Sequence, residues 1–338
     1  MSEFGWAVVG PGKIAQRFAD AVTQLPGARL AAVHGRDPGR ADAFARTWSA
    51  PGAAPLPVFA DLETMLGNDA VDGVYIATPH AFHAASIRRC LMAGKPVLCE
   101  KPMVANAALA TELVALSRQR GVFLMEALWT RFLPIYATVS EWLASKAIGE
   151  IRGLQSSFCF NPPFDPGSRL FDPAQAGGSL LDLGIYNLAM TQWVLQAALG
   201  ACPEPDSITA TGLLGPTGVD HRIAASLEFP GGVVSQFQCG LDGSADNSLR
   251  IFGERGVITV QPRFWEATAA TLQRTNEAAE EVQRPFQING FEGEIQEAIR
   301  CIARGEIESP AMPHADTVTI AGWMDRIRAI VGVKYPFE

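Results

Sequence analysis

Cysteine is sparse and scattered. The thiols at 90, 99, 159, 202, 239 and 301 form no C-x-x-C pair and no cluster spaced like a zinc knuckle, which argues against both a disulfide scaffold and a structural zinc site. Their neighbours are apolar, as in Val97-Leu98-Cys99 and Phe158-Cys159-Phe160, so they read as buried thiols in a reducing compartment. No apolar run approaches the ~20 residues that a membrane helix needs. Met1 to Gly5 shows no basic stretch ahead of an apolar one, so no secretory leader is expected and the location is read as cytoplasmic. Positive charge is also short: 27 Lys and Arg stand against 35 Asp and Glu, for a net charge of −8. That balance repels phosphate backbones and anionic lipid, which excludes nucleic-acid and membrane-surface roles but leaves room for a local basic pocket. What the chain does have is length and apolar content. Its 338 residues, 48% hydrophobic and 18% charged, suffice for two domains with large cores. No internal repeat or low-complexity segment is visible.

The first 126 residues alternate short apolar runs with amphipathic stretches. Strands are expected at Trp6–Val9, Arg29–His34, Val58-Phe59, Val71–Ala77, Val97–Cys99 and Val122–Glu126. Helices are expected at Lys13–Gln24, Arg40–Trp48, Leu62–Leu66 with Asp61 as its cap, Ala81–Ala93 and Ala107–Arg120. Ala50 to Pro57 reads as a Pro/Ala loop. Such alternation predicts parallel βαβ units, a doubly wound sheet covered on both faces. After residue 127 the pattern changes. Helices are expected at Glu141–Ser145, Ser179–Gln196 and Asp316–Ile330. Strands are expected at Ile151–Phe160, Ile208–Leu213, Arg222–Phe229, Val233–Cys239, Ser248–Phe252, Val257–Val260 and Ala269–Leu272. Pro230-Gly231-Gly232 and Gly253–Gly256 fall where hairpin turns belong, and the Glu277–Glu281 run reads as a solvated loop. The fold class is therefore α/β: a Rossmann domain over 1–126, then an α+β domain over 127–338 with a large, mostly antiparallel open sheet. The last helix, about 316–330, is a candidate to pack back on the first domain.

Gly10-Pro11-Gly12-Lys13-Ile14-Ala15 fits G-x-G-x-x-G/A at the first strand–helix junction. There Gly10 permits the tight turn, Gly12 lets a pyrophosphate approach the backbone, and Ala15 lets helix and strand pack closely. Lys13 and Ile14 open the helix whose N-terminus would face the anion. The end of the second strand selects between dinucleotides. The run is Val33-His34-Gly35-Arg36-Asp37, with no acid where the strand stops. Arg36 and Arg40 can clamp a 2′-phosphate, which favours NADP, while Asp37 could contact a ribose and keeps NAD open.

Glu100-Lys101-Pro102 follows the fifth strand, at the carboxyl edge where ligands bind in such sheets. Lys101 is a candidate catalytic cation there, and Glu100 reads equally as structural. In Gly177-Gly178-Ser179-Leu180-Leu181-Asp182-Leu183-Gly184-Ile185-Tyr186, a helix would put Asp182 and Tyr186 on one face. An acid and a phenol so placed can handle protons, or can simply be a stabilising hydrogen bond. His80 and His83 lie three apart with no third ligand nearby, so no metal is expected. Trp129, Phe132, Phe160, Phe164 and Trp265 are candidates for an aromatic pocket wall, and Arg131 for a substrate contact or an ion pair.

Taken together, Gly10–Ala15, Thr78-Pro79…His83, Glu100-Lys101-Pro102 and Gly177–Tyr186 resemble the glucose–fructose oxidoreductase / inositol dehydrogenase / MocA family across nearly the whole chain. Phe123–Phe132 and Ala174–Gly178 are similar to its dimeric dihydrodiol dehydrogenase and NADP-dependent D-xylose dehydrogenase branch, which carries Tyr where many relatives have His. The resemblance implies an NADP-dependent oxidoreductase acting on a secondary alcohol or hemiacetal of a sugar or of a cyclic trans-diol. In that reading Tyr186 exchanges the substrate proton, Lys101 eases its loss by charge proximity, and Asp182 orients substrate or lysine. It places Thr78, Pro79, His80, His83 and Glu100 near the cofactor and Arg169 near nicotinamide or substrate. Trp129, Arg131, Phe160, Asp182 and Tyr186 would meet the substrate. It also implies a cis peptide before Pro102 and a homodimer built on an apolar sheet face after about residue 206. Inositol dehydrogenase, anhydro-sugar reductase or dismutase chemistry remains open within the family, as does a non-catalytic NADP-binding sensor.

Overall fold

The computed structural model describes residues 3–49, 52 and 54–338. They separate into two compact units. One holds the described residues up to Trp129 together with Gln287–Val318, and the other holds Thr130–Phe286 and Thr319–Glu338. The expected division after residue 126 thus moves to Trp129, and a later segment joins the first unit.

The first unit begins β1 (Phe4–Val9), α1 (Lys13–Gln24), β2 (Ala28–His34), α2 (Pro38–Trp48), β3 (Val58–Phe59) and α3 (Leu62–Leu66). It continues through β4 (Gly73–Ile76), α4 (His83–Met92), β5 (Val97–Glu100), α5 (Ala107–Arg120) and β6 (Leu124–Ala127). The strands are parallel in the order β3-β2-β1-β4-β5-β6, so the strand order reverses beside β1. Residues of β4 and β5 are buried on both faces, as a covered parallel sheet demands. The helices start where short polar side chains accept from backbone amides: Asp37 from Arg40 N, Asp61 from Thr64 N and Asn106 from Leu109 N. Pro38 at the first position of α2 starts that helix two residues before the expected Arg40. Of the expected Pro/Ala loop, residues 50, 51 and 53 lie outside the described residues, and 54–57 are irregular.

The second unit contains α6 (Pro134–Ala144), β7 (Ile151–Cys159), α7 (Ile185–Leu199), and β8 to β14. These strands are Ser207–Leu214, Asp220–Phe229, Val233–Gly240, Leu249–Gly253, Gly256–Val260, Ala269–Arg274 and Glu280–Gln283. They form one sheet in the order β14-β13-β12-β11-β7-β10-β9-β8. Only β7 and β10 pair in parallel; the other neighbours are antiparallel. The Pro230-Gly231-Gly232 turn joins β9 to β10, with both glycines in the left-handed region at φ 84° and 78°. Alternation along β9 buries Ile223, Ala225, Leu227 and Phe229 and exposes Arg222, Ala224 and Glu228. The exposed face is therefore small and polar, not apolar as expected. A shallow groove of about 580 Å³ crosses it, lined by residues such as Gln155, Thr209, Thr211, Gln236 and Gln238.

Three elements depart from expectation. The Glu-rich run is not a loop throughout: Glu280–Gln283 pairs with β13 as an exposed edge strand, whose charges discourage further pairing. Helix α6 begins seven residues earlier than the expected Glu141, because Pro134 presets its first turn. And α8 (Glu292–Ala303), in the first unit, was not foreseen. The Glu292 carboxylate gathers the amides of Gln287, Ile288, Asn289 and Gly290 at 2.6–3.2 Å and so orders the chain that leads into the helix. Burial pushes this carboxyl up, but the amide donors outweigh it and hold it below the ordinary value. The last helix, α9 (His314–Val331), contains the division at Val318. No described helix is long and apolar enough to cross a membrane.

Candidate active site

The first unit collects the expected nucleotide residues at the carboxyl edges of β1, β2, β4 and β5. Gly10 has φ +88°, and a Cβ there would lie 2.8 Å from Thr78 N, so only glycine fits between the first turn and the end of β4. Gly12 N donates to Gly10 O at 2.8 Å, which sets Gly12 as the start of α1. Gly12, Lys13 and Ile14 are exposed, and a Cβ at Gly12 would meet nothing nearer than 4.0 Å. Beside this open helix start, Thr78 Oγ1 is buried with no hydrogen-bond partner. An anion-binding helix terminus next to an unsatisfied hydroxyl fits a dinucleotide.

At the end of β2, a Cβ on Gly35 would strike Pro11 Cδ at 2.9 Å. The Pro11 ring thus leaves no room for an acid at 35. Arg36 lies over the Phe82 ring, 4.6 Å from its centroid. Arg40 pairs with Asp37 at 3.4 Å, and its side chain is 80% exposed. Such a pair is worth only ~0–1 kcal/mol, so a stronger anion can draw Arg40 away. Asp37 is already engaged as the cap of α2.

His83 is fully buried, with Nε2 2.6 Å from Thr78 O and Nδ1 3.0 Å from Pro102 O. Burial pushes its pKa down, against those carbonyls. It ties the β4 edge to the Lys101–Pro102 turn, whose peptide is cis. Pro79 leads into a short 3-10 turn that buries His80. Lys101 is half-buried. Glu100 is buried beneath it and accepts from Tyr75 Oη at 2.5 Å and Lys101 N at 3.2 Å. Burial, then the charge of Glu100, raises the carboxyl of Glu294 on α8 well above its ordinary value. Trp129 is buried against Phe291, centroids 5.1 Å apart, with the Arg17 guanidinium 4.3 Å above its ring. Among the described residues no three His, Cys, Asp or Glu side chains are grouped to hold a metal ion.

The second unit holds Arg131, Phe160, Arg169, Asp182 and Tyr186. The expected single helix from Ser179 is two pieces: a π-turn over Leu180–Gly184, then α7. Such turns recur at functional sites because they re-aim side chains. Asp182 is buried on that turn and accepts from Arg169 Nη1 at 2.8 Å. Tyr186 is the second residue of α7, with its ring 5.5 Å from Phe158, which stacks on Trp265 at 3.4 Å. Phe160 is 37% exposed beside Phe158. Arg131 is buried and donates to Gln192, the contact of a packing brace.

Sequence reasoning missed Phe82, Glu294 and Asp220. Phe82 lies inside the Pro79–His83 stretch and could have been read from it. Glu294 and Asp220 carried no local signal. Asp220 is fully buried and its Oδ2 accepts from Ser179 Oγ and Leu180 N, both at 2.7 Å.

The chain is similar to known proteins over nearly its whole length. A family profile described as the oxidoreductase family with NAD-binding Rossmann fold matches residues 4–128, and the GFO/IDH/MocA C-terminal domain matches 136–259. The trans-1,2-dihydrobenzene-1,2-diol dehydrogenases of mouse and pig are 34% and 35% identical, each covering 98% of both chains. Among solved structures, a 3-ketoreductase from Actinomadura kijaniata, crystallised with NADP and TDP-benzene, is 26% identical with a TM-score of 0.84 over 98% of each chain. An aldose-aldose oxidoreductase from Caulobacter crescentus, at 24% identity and a TM-score of 0.85 over 98% of each chain, shares the fold.

Burial raises the Asp220 carboxyl from 3.8 to about 6, against the opposing bonds from Ser179 and Leu180. A carboxyl with a raised folded pKa binds its proton more tightly in the folded state. Its ionisation therefore penalises folding above about pH 6, and the penalty fades as pH falls toward 3.8. The gap between those values corresponds to on the order of 3 kcal/mol. Denaturant unfolding of the wild type and Asp220→Asn across pH 4–7.5 should show the wild type losing ground to the variant as pH rises. A pH-independent difference would contradict this.

Proposed function

The chain belongs to the GFO/IDH/MocA oxidoreductase family, and on that premise we propose that it is an NADP-dependent dehydrogenase of a sugar or cyclic trans-diol. The observation that carries this reading is the convergence on one sheet of three features. The open helix start at Gly12, the unsatisfied Thr78 hydroxyl and Lys101 lie at the carboxyl edges of adjacent strands. Gly10, Gly12, Lys13 and Ile14 would hold the pyrophosphate by backbone amides. Thr78, Pro79 and His80 would border the cofactor beyond it, with His83 and Glu100 bracing that edge from below.

NADP over NAD is supported by the Pro11 ring, which denies position 35 a carboxylate, and by Arg36 on Phe82 with Arg40 beyond it. The nicotinamide, when bound, accepts or returns a hydride at the reacting carbon. Tyr186 takes or gives the hydroxyl proton of the substrate. Lys101 supplies positive charge to the substrate oxygen as that proton leaves. Asp182, oriented by its 2.8 Å ion pair with Arg169, positions the substrate. The rings of Phe158, Phe160 and Trp265 near Tyr186 suit the flat or C–H-lined face of a cyclic diol or sugar. Trp129 packs on Phe291 and Arg17, and Arg131 donates to Gln192, so both side chains are engaged within their own units. Six free thiols, five of them buried, suit a reducing cytoplasm. We assign the open polar face of the second sheet to a homodimer, since small side chains and amides there allow close, hydrogen-bonded apposition.

Three measurements test the reading. Protein mixed with NADP and a panel of aldoses and cyclic diols should generate reduced cofactor, and Tyr186→Phe should lose on the order of 10²–10⁴ in turnover while still binding NADP. Unchanged turnover would remove the proton role, and tight NADP binding with no turnover anywhere would return the sensor reading. Arg36→Ala should weaken NADP binding by ~10–100-fold and leave NAD binding nearly unchanged, because only the phosphate contact is lost. Sedimentation at micromolar concentration should give a dimer; a monomer would refute the sheet-face assignment.

A further inference from the structure

The residues that precede the π-turn are held from two distant parts of the second unit. Gly178 has φ +121°, and a Cβ there would lie 2.3 Å from Asp220 Oδ1, so the carboxylate lies directly against its backbone. Ser179 stands at the cap position of the turn, yet its hydroxyl makes no cap bond; it donates to Asp220 Oδ2 at 2.7 Å. Asp220 also accepts from Leu180 N at 2.7 Å. The cap of this turn is thus supplied by a residue 40 positions away, at the start of β9. On the other side, Tyr335 Oη donates to Gly177 O at 2.8 Å. Tyr335 follows α9, and its ring is fixed by Arg328, 5.0 Å from the centroid, and by Phe337, stacked at 5.5 Å. Arg328 in turn makes two 2.9 Å bonds to the Glu338 carboxylate and one of 2.6 Å to Asp325.

We propose that Asp220 and Tyr335 are positioning residues that clamp the turn from Gly177 to Leu180 and so set where Asp182 and Tyr186 stand. The proposal rests on the reading that Tyr186 exchanges the substrate proton. A single π-turn is a local departure from the α-helical register, so the groups anchored at its entry bear on where Asp182 on the turn and Tyr186 just after it point. Asp220 fixes the amide and hydroxyl at its entry, and Tyr335 fixes the carbonyl just before. A fully buried carboxylate is an expensive cap, since a serine or asparagine could accept the same bonds without carrying a charge into the core. Neither Asp220 nor Tyr335 needs to touch the substrate; each acts through the turn.

The test compares Tyr335→Phe, Asp220→Ala, Asp220→Asn and Tyr186→Phe in the full chain with NADP and a substrate that the wild type turns over. Tyr335→Phe keeps the stacked ring and loses one hydroxyl; Asp220→Asn keeps an oxygen for both donors. Displacing the turn should lower kcat by on the order of 10–100-fold in Tyr335→Phe and Asp220→Ala, with NADP affinity unchanged. It should also move the pH midpoint of kcat by more than about half a unit, since the environment of the phenol changes. Asp220→Asn should restore both. A fall in thermal midpoint with wild-type kcat and pH profile would overturn the proposal. If Asp220→Ala does not fold, Tyr335→Phe decides by the same readout. Wild-type turnover in Tyr186→Phe is a different pattern: it removes the parent reading, and this proposal with it.

Discussion

At Gly10 the backbone passes so close to the end of β4 that no side chain can stand between them, and the geometry of the first unit follows from that approach. A Cβ would lie 2.8 Å from Thr78 N, so the turn after β1 is pressed against β4 where the strand order reverses. The helix start at Gly12 then opens outward beside the Thr78 hydroxyl. His83 carries the same constraint one strand further by bridging Thr78 O to Pro102 O. The Lys101 turn is thereby tied to the phosphate turn through three strands of one sheet. A loop could not hold those groups with such regularity, because each is anchored at the end of a buried parallel strand.

In the second unit the corresponding constraint is a carboxylate. Asp220 occupies the space against Gly178 and accepts from the entry to the π-turn. The same device recurs elsewhere in the chain. Asp37 and Asp61 each begin a helix by accepting a backbone amide from its first turn. Both stand immediately before the helix they cap. Asp220 differs because it is remote and wholly buried, so its contribution depends on tertiary structure and on pH.

Much of the first unit was legible from residue pattern. Lys13–Gln24 and Ala107–Arg120 were bounded as they stand, since apolar spacing and flanking Gly12, Asn106 and Gly121 mark both ends. In helix α8 the apolar spacing of Ile295, Ala298, Ile299 and Ile302 is legible, but the burial of Glu292 and Glu294 beside it is hidden, because acids do not register as a core face. The π-turn was hidden for a related reason: Leu180 to Leu199 is apolar nearly all round, so no periodicity distinguishes one helical register from another. The outer face of the second sheet was misjudged as apolar because strand alternation shows only that two faces differ, not which residues of eight strands align on the open one.

The linear chain alone determined the dinucleotide turn, the lack of an acid at position 35, the Glu100-Lys101-Pro102 edge and the Asp182–Tyr186 block. These depend on residue types at fixed short spacing, and local sterics translate them directly into geometry. Tertiary structure alone decided that Pro11 excludes a side chain at 35, that Phe82 supports Arg36, that Glu294 lies near Glu100, and that Asp220 and Tyr335 grip the turn before Tyr186. Each of those is a meeting of atoms distant along the chain, and packing rather than local preference brings them together.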